Sequence, residues 1–503
     1  MLACSTRRFL PALLALCCLP ACGDQVGEGD EASTGESNAS DSATQSGDEG
    51  GGATSGSASG DGDSDTQNEG GDGDAGETGI PDPVFPDSLW DLPGVVSVDP
   101  IEGGFRIGFE QPIDHWDENS ETFVQYLSLR SDGFDGPMIM RFSGYYDYLG
   151  TSTGQLGFLV PNSNGLSVEH RYFGNSVPEP TEWQFLTVEQ AAADHHAIIE
   201  SFKLLYDEPW LSTGASKGGQ TVLELEQLYP EDIDAVVALV APVIPALYDE
   251  GFDAFVDDLA STTCGQQARA VHTAMLERRD ELLALAAEEA SLGGASFDRV
   301  GLELALDIAI VEWEFIFWQY TSDCADLPDP QGSAQALYAA MGSSSPLTYS
   351  DDSLSPFMPF FYQCRAQLGY PGMTDAHLDT SLFPAITLDY LESLTPAEAT
   401  LPEYDSNAMT SLAQWVQSDA DQVVMIYGAF DPWSARAVDP GDNEGVLYYM
   451  LEGENHGANI FKLSTTQRQE VCSALQEWTG LVDLCSQGFV DTPPVGRLGP
   501  ARL

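Results

Sequence analysis

The stretch Trp210-Leu211-Ser212-Thr213-Gly214-Ala215-Ser216-Lys217-Gly218-Gly219-Gln220 restricts what this chain can fold into more than any other segment. An apolar lead-in runs into G-x-S-x-G, and a helix-compatible run follows. Where a strand turns at once into a helix, the serine must take a strained backbone that only small neighbours tolerate, and Gly214 and Gly218 are those neighbours. The turn lifts the serine Oγ clear of the sheet and aims the next backbone N–H, that of Lys217, at a forming oxyanion. Taken alone the pentapeptide is weak, since an ordinary glycine-rich turn matches it equally well. Context on both sides has to carry it.

Upstream, short β-like runs occur at Phe105 to Glu110, Phe123 to Arg130 and Pro137 to Phe142. The third enters Ser143-Gly144-Tyr145-Tyr146, where a loop after a strand is placed to donate a second oxyanion N–H. Gly144 and Tyr145 are the candidate donors, although a plain strand-to-turn glycine would look the same. Gly165 to Glu169 reads as a further strand, ending in Glu169-His170-Arg171-Tyr172, either an ion-pair cluster or a pocket wall that brings Glu169 to substrate. Leu186 to Tyr206 reads as an amphipathic helix with Thr187 as N-cap. It carries Asp194-His195-His196, but adjacent histidines point to different helix faces, so neither metal nor cofactor is expected.

Downstream of the elbow, Lys217 to Leu228 continues as a helix, and Ala235 to Val240 is a continuous apolar run of the kind a buried parallel strand needs. From Pro242 to about residue 410 strand signals vanish and helix-length segments take over: Ala268 to Leu292, Leu302 to Tyr320 and Ala334 to Met341. Glu312 and Glu314 flank Trp313 there and are candidates to grip a substrate ammonium group; an exposed helix face is the bland alternative. The β pattern resumes at Gln422 to Tyr427, followed by Asp431-Pro432-Trp433, an acid just past a strand end with Trp433 as a candidate substrate contact. Val446 to Leu451 then leads to Asn455-His456-Gly457.

Ser216, Asp431 and His456 thus follow three strand ends in the chain order of α/β-hydrolases, which differs from the orders of chymotrypsin and subtilisin. The expected fold class is α/β: an α/β-hydrolase core with a helical cap inserted between the nucleophile half and the Asp/His half. The division is a signal at 1–22, a linker at 23–80, core at 81–241, cap at 242–410, core again at 411–490 and a tail at 491–503.

Composition bears on partners and location. With 18 Lys+Arg against 80 Asp+Glu and a net charge of −62, no basic stripe exists for phosphate, so nucleic acid is excluded. Only three lysines occur, and one directly follows Ser216. Residues 1 to 22 read as an export signal, with Arg7 and Arg8 before the apolar Phe9 to Leu19, too short for the roughly 20 residues of a membrane span. Leu19-Pro20-Ala21-Cys22 resembles a bacterial lipobox, which would lipidate Cys22 and anchor the protein to the cell-envelope membrane; the other reading is an ordinary cleaved signal and an extracellular protein. Gly23 to Ile80, almost all Gly, Ser, Asp, Glu, Thr and Ala, cannot offset its ordering entropy and reads as a disordered tether. Beyond the signal and Cys22 remain Cys264, Cys324, Cys364, Cys472 and Cys485; Cys472 and Cys485 bracket a short helical stretch and are a candidate pair, and two of the other three can bridge, leaving one free.

The segments Gly214-Ala215-Ser216-Lys217-Gly218-Gly219, Glu169-His170-Arg171-Tyr172, Tyr427-Gly428 with Asp431-Pro432-Trp433, and Asn455-His456-Gly457 resemble those of the secreted prolyl tripeptidyl and tetrapeptidyl aminopeptidases. The chain is similar, more distantly, to the prolyl carboxypeptidase and dipeptidyl peptidase group. Ala215 stands where that family usually has glycine, and the lipobox and tether are departures from it. The resemblance implies release of short peptides from free N-termini of peptides or proteins, with proline preferred before the cut bond. A lipase or esterase of the same fold and a non-catalytic surface lipoprotein are the other readings, since fold and motif do not by themselves prove turnover.

Overall fold

The computed structural model describes residues 84–486 apart from 322, 373–375 and 384–389. The signal, Cys22, the tether and the tail 491–503 therefore lie outside the described residues. No described helix is long and apolar enough to cross a membrane.

Among the described residues eleven strands form, in chain order: β1 Val95–Ile101, β2 Gly104–Pro112, β3 Thr122–Arg130, β4 Met138–Phe142, β5 Asn164–Val168, β6 Trp210–Ala215, β7 Ala235–Leu239, β8 Leu247–Asp249, β9 Tyr370–Pro371, β10 Val423–Gly428 and β11 Val446–Leu451. Nine of them build one sheet in the order β1-β2-β3-β5-β4-β6-β7-β10-β11. From β5 to β11 every neighbouring pair is parallel, whereas β1, β2, β3 and β5 pair antiparallel. This is the α/β-hydrolase architecture. Its parallel strands are buried on both faces, as β10 illustrates: Val423 and Met425 pack into one core, Val424 and Ile426 into another across the sheet. Two-sided burial explains why these strands read as unbroken apolar runs rather than as alternation.

The helix Val188–Phe202 begins where its cap requires, with Thr187 Oγ1 accepting the Gln190 N–H at 3.2 Å. Between β7 and β10 the chain is mainly helical, with three corrections to the expected pattern. The long segment Ala268 to Leu292 is two helices, Thr263–Glu277 and Arg279–Gly293, broken at Arg278. Strands do occur there: β8 and β9 pair in parallel, but at three and two residues they are too short to leave a period. The segment Leu302 to Tyr320 is likewise divided, into Leu302–Val311, Trp313–Ile316 and a π-helical turn at Phe317–Thr321. Disulfides join Cys264 to Cys324 and Cys472 to Cys485, and Cys364 is free and buried.

Candidate functional site

Parallel pairing brings the carboxyl ends of β4, β6, β10 and β11 to one edge: Phe142 lies opposite Gly214, and Gly428 opposite Leu451. That edge is where open α/β sheets place their ligands. Ser216 follows β6 at φ 56°, ψ −126°, a left-handed conformation that costs a non-glycine residue strain and is held only by its surroundings. The surroundings are tight. A Cβ on Gly214 would lie 2.2 Å from the Gly218 carbonyl oxygen, and one on Gly218 would lie 2.1 Å from that of Phe142. Those glycines let helix Lys217–Leu228 start against two strands at once.

Asp431, in the loop after β10, is fully buried, and its Oδ2 takes the Nδ1–H of His456 at 2.6 Å while Oδ1 accepts the Trp433 backbone N–H at 3.1 Å. Nδ1 is therefore the protonated nitrogen, and Nε2 carries the lone pair. That Nε2 is buried without a hydrogen-bond partner, an unusual state for a polar atom and the expected one for a general base awaiting a proton. The histidine loop is clamped by the π-helical turn, where the Gln319 carbonyl accepts the His456 N–H at 3.1 Å and the Tyr320 carbonyl accepts from Asn455 Nδ2 at 3.0 Å. A helical distortion next to a working residue is common.

A pocket opens beside Ser216. Lys217, Tyr145 and Ile244 come from the sheet side, Phe360 and Tyr370 from the helical segment, and Trp433 from the loop after Asp431. Trp433 packs edge-on against Phe315 and Phe252, and its indole N–H finds no acceptor among the described residues. Phe360, Cys364 and Tyr370, also at the wall, left no signal in the sequence, because nothing in an aromatic helical run or in the two-residue β9 tells which side chain faces a serine far back in the chain.

The other expected site residues are placed differently. The Tyr145 ring lines the pocket, but its N–H donates to Ser143 Oγ at 3.0 Å, which leaves Gly144, at φ 77°, as the candidate second oxyanion donor. Glu312 is fully buried one layer behind the wall, its carboxylate accepting the hydroxyls of Tyr349, Tyr370 and Tyr390. Burial pushes it up to about 7 against those three bonds. Glu314 is bonded by the Nε of Arg269 at 3.0 Å. Neither presents a free carboxylate to an ammonium group, because tertiary partners saturate both. Glu169 is spent on its own loop, accepting from Asp147 N, Asn175 N and Ser176 Oγ, so it is a structural anchor and not a substrate contact. His170-Arg171 completes that structure: Arg171 makes a two-pronged bond to Asp194 at 2.6 and 2.8 Å.

Two clusters have metal-like composition, His272 with Glu314 and His377, and His196 with Glu200 and Asp232. In the first, the His272 Nε2–H is bonded to the Ile310 carbonyl at 2.6 Å, its Nδ1 faces His377 Nε2 at 3.1 Å, and Glu314 is paired to Arg269. In the second, His196 Nδ1 is bonded to Asp232 Oδ2 at 2.8 Å. Each cluster thus satisfies itself without an ion.

The chain is 31% identical over 409 residues to the prolyl tri/tetrapeptidyl aminopeptidase of Streptomyces mobaraensis, covering 78% of this chain and 85% of that one. Among solved structures, the proline iminopeptidase of Mycobacterium smegmatis matches at 13% identity and a TM-score of 0.36, over 74% of this chain and 98% of the other. A bromoperoxidase from Bacillus anthracis matches at 15% and 0.31, over 74% and 100%. At such values neither likeness bears on activity. The family model described as PS-10 peptidase S37 matches residues 85–493, a span that holds the elbow, the buried acid and the histidine alike. With that span and that relative, the chain belongs to the peptidase S37 family and is a serine peptidase of α/β-hydrolase fold.

Proposed function

We infer that this peptidase releases tri- and tetrapeptides from free amino termini, cutting after proline through an acyl-enzyme on Ser216. Two observations carry the reading: the buried His456 has Nδ1 committed to Asp431 and Nε2 left open, and Ser216 is held in a strained elbow that lines an aromatic pocket. His456 Nε2 takes the Ser216 Oγ proton as Oγ bonds the substrate carbonyl carbon, and Asp431 stabilises the imidazolium that forms. The backbone N–H groups of Lys217 and Gly144 receive the oxyanion, each donor typically worth about 3 to 4 kcal/mol. The C–N bond breaks as His456 returns the proton to the leaving amine. Water, deprotonated by the same nitrogen, then hydrolyses the ester.

Proline is favoured because its ring is compact and apolar, which suits walls made of Tyr145, Ile244, Phe360, Tyr370 and Trp433. The name of the Streptomyces relative supports the same substrate class. Export follows from the signal-like residues 1–22, and lipidation at Cys22 would let the tether hold the enzyme off the membrane.

The test is hydrolysis of Ala-Ala-Pro-nitroanilide with a free amino terminus beside its N-acetylated twin and nitrophenyl butyrate, each with wild type and Ser216→Ala. Cleavage of the free peptide alone, falling at least about 10^4-fold in Ser216→Ala, is expected. Equal cleavage of the acetylated twin would sink the aminopeptidase reading, and cleavage of the ester alone would replace it with an esterase.

A further inference from the structure

The side chain of Lys217 is not used by the chemistry above. It is 4% exposed at the first turn of the elbow helix, in a protein with three lysines and 80 acids, so its burial is not a matter of available surface. A buried ammonium persists only where its desolvation is offset. Here the charge of the buried Glu224 and the oxyanion loop share that offset. Nζ donates to the Gly144 carbonyl and lies 5.4 Å from the ring centres of both Tyr145 and Phe173.

The contact is specific to one peptide plane. The unit joining Gly144 to Tyr145 is held at its carbonyl by Lys217 Nζ and at its N–H by Ser143 Oγ, 3.0 Å away. Ser143 Oγ in turn donates to the Tyr146 carbonyl at 2.9 Å. The stem of Lys217 packs beneath the same residue, since a Cβ on Gly144 would come within 2.9 Å of Lys217 Cγ. With φ 77°, Gly144 has a backbone that glycine can readily leave, and these contacts restrain its orientation.

We propose that the Lys217 side chain is a positioning residue for the oxyanion hole: by anchoring the Gly144–Tyr145 peptide unit at its carbonyl it limits rotation at the Gly144 Cα, and so steadies the adjoining Ser143–Gly144 unit that carries the Gly144 N–H. One residue thereby supplies one donor from its backbone and orients the other from its ammonium group. Preorganised donors act without reorganising at the moment of reaction, so a loosened Gly144 loses transition-state stabilisation while ground-state binding stays. The inference rests on the serine-peptidase mechanism above.

The experiment compares wild type, Lys217→Met and Ser143→Ala in three measurements: kcat and KM on Ala-Ala-Pro-nitroanilide, inhibition by Ala-Ala-boroproline, whose boronate mimics the tetrahedral intermediate, and inhibition by the product Ala-Ala-Pro. For Lys217→Met, kcat is expected to fall about 10- to 100-fold, part of the 10^2 to 10^3 that losing an oxyanion donor costs. Boronate affinity should fall in the same proportion, with KM and product affinity within about 3-fold of wild type. Ser143→Ala, which frees the other end of the plane, should repeat the pattern at about 3- to 10-fold, and it carries the test alone if Lys217→Met does not fold. Wild-type kcat and boronate affinity in the variants would overturn the proposal, as would loss of product affinity in step with kcat. A wild type that neither cuts the peptide nor binds the boronate would instead refute the mechanism beneath it.

Discussion

Among the described residues, two aspartates are fully buried against a histidine, and they differ in what is left over. Asp431 holds His456 Nδ1 at 2.6 Å, and Asp194 holds His115 Nε2 at 2.7 Å. Asp194 also takes both prongs of Arg171, whose remaining N–H groups are bonded to the carbonyls of Ile113, Phe185 and Pro112. Burial alone would push the Asp194 carboxyl up, but Arg171 and the His115 bond outweigh it and hold it below the ordinary value. Among the described residues Asp431 has no Arg or Lys partner, and its histidine keeps a buried nitrogen without a hydrogen bond. The same pair of side chains is therefore a closed staple at one place and leaves a ring nitrogen open at the other, as the proposed mechanism requires. Which it becomes depends on unfilled valence, and burial or pairing alone does not tell the two apart.

The sharpest way to break the comparison is to neutralise each aspartate. Asp431→Asn, which removes the acceptor that orients His456, should cut kcat on Ala-Ala-Pro-nitroanilide about 10^4-fold with a thermal midpoint close to wild type. A loss below 10-fold would mean that His456 does not depend on Asp431. Asp194→Asn should do the reverse: stability falls by about 3 to 5 kcal/mol in urea unfolding, because Arg171 is left buried and uncompensated, while kcat per folded molecule is kept. Unchanged stability would show that the Arg171 pair contributes nothing.

Glu312 sharpens the contrast as a buried carboxylate that, among the described residues, is bonded by three tyrosines and paired with no cation. Its folded value of about 7 lies above the unfolded 4.5, so between those values the folded chain binds the extra proton and stability drops as pH rises. The Glu312 contribution is fully present below about pH 4.5 and lost by about pH 7. Urea midpoints measured from pH 5 to 7.5 should therefore decline more steeply in wild type than in Glu312→Gln, by at most about 3 kcal/mol over the range. Parallel pH profiles for the two proteins would mean that Glu312 stays ionised throughout.

Expectations drawn from local properties agree with the structure. Helix Lys217–Leu228 starts directly behind the serine, Thr187 caps its helix, and β10 and β11 end just before the acid and the histidine. Each is legible because a glycine, a capping hydroxyl or an apolar run acts on its immediate neighbours in the chain. The misreadings share the opposite cause. Glu312 finds Tyr349, Tyr370 and Tyr390, Glu314 finds Arg269, and Glu169 finds Ser176 and Asp147, partners whose spacing follows no helix or strand period. An acid in an aromatic segment looks ready for a ligand until its neighbours in space are known.

The amino-acid sequence by itself thus determined the strand-turn-helix at Ser216, the order of the three site residues and the two-sided burial of the parallel strands, since backbone sterics and hydrophobic burial act along the chain. The tertiary structure alone decided which carboxylates remain open, which peptide N–H can face an oxyanion and where the ammonium of Lys217 points. Those outcomes depend on hydrogen bonds closed between segments tens to hundreds of residues apart, where saturation by a distant partner removes a group from chemistry without leaving any mark on its neighbours in sequence.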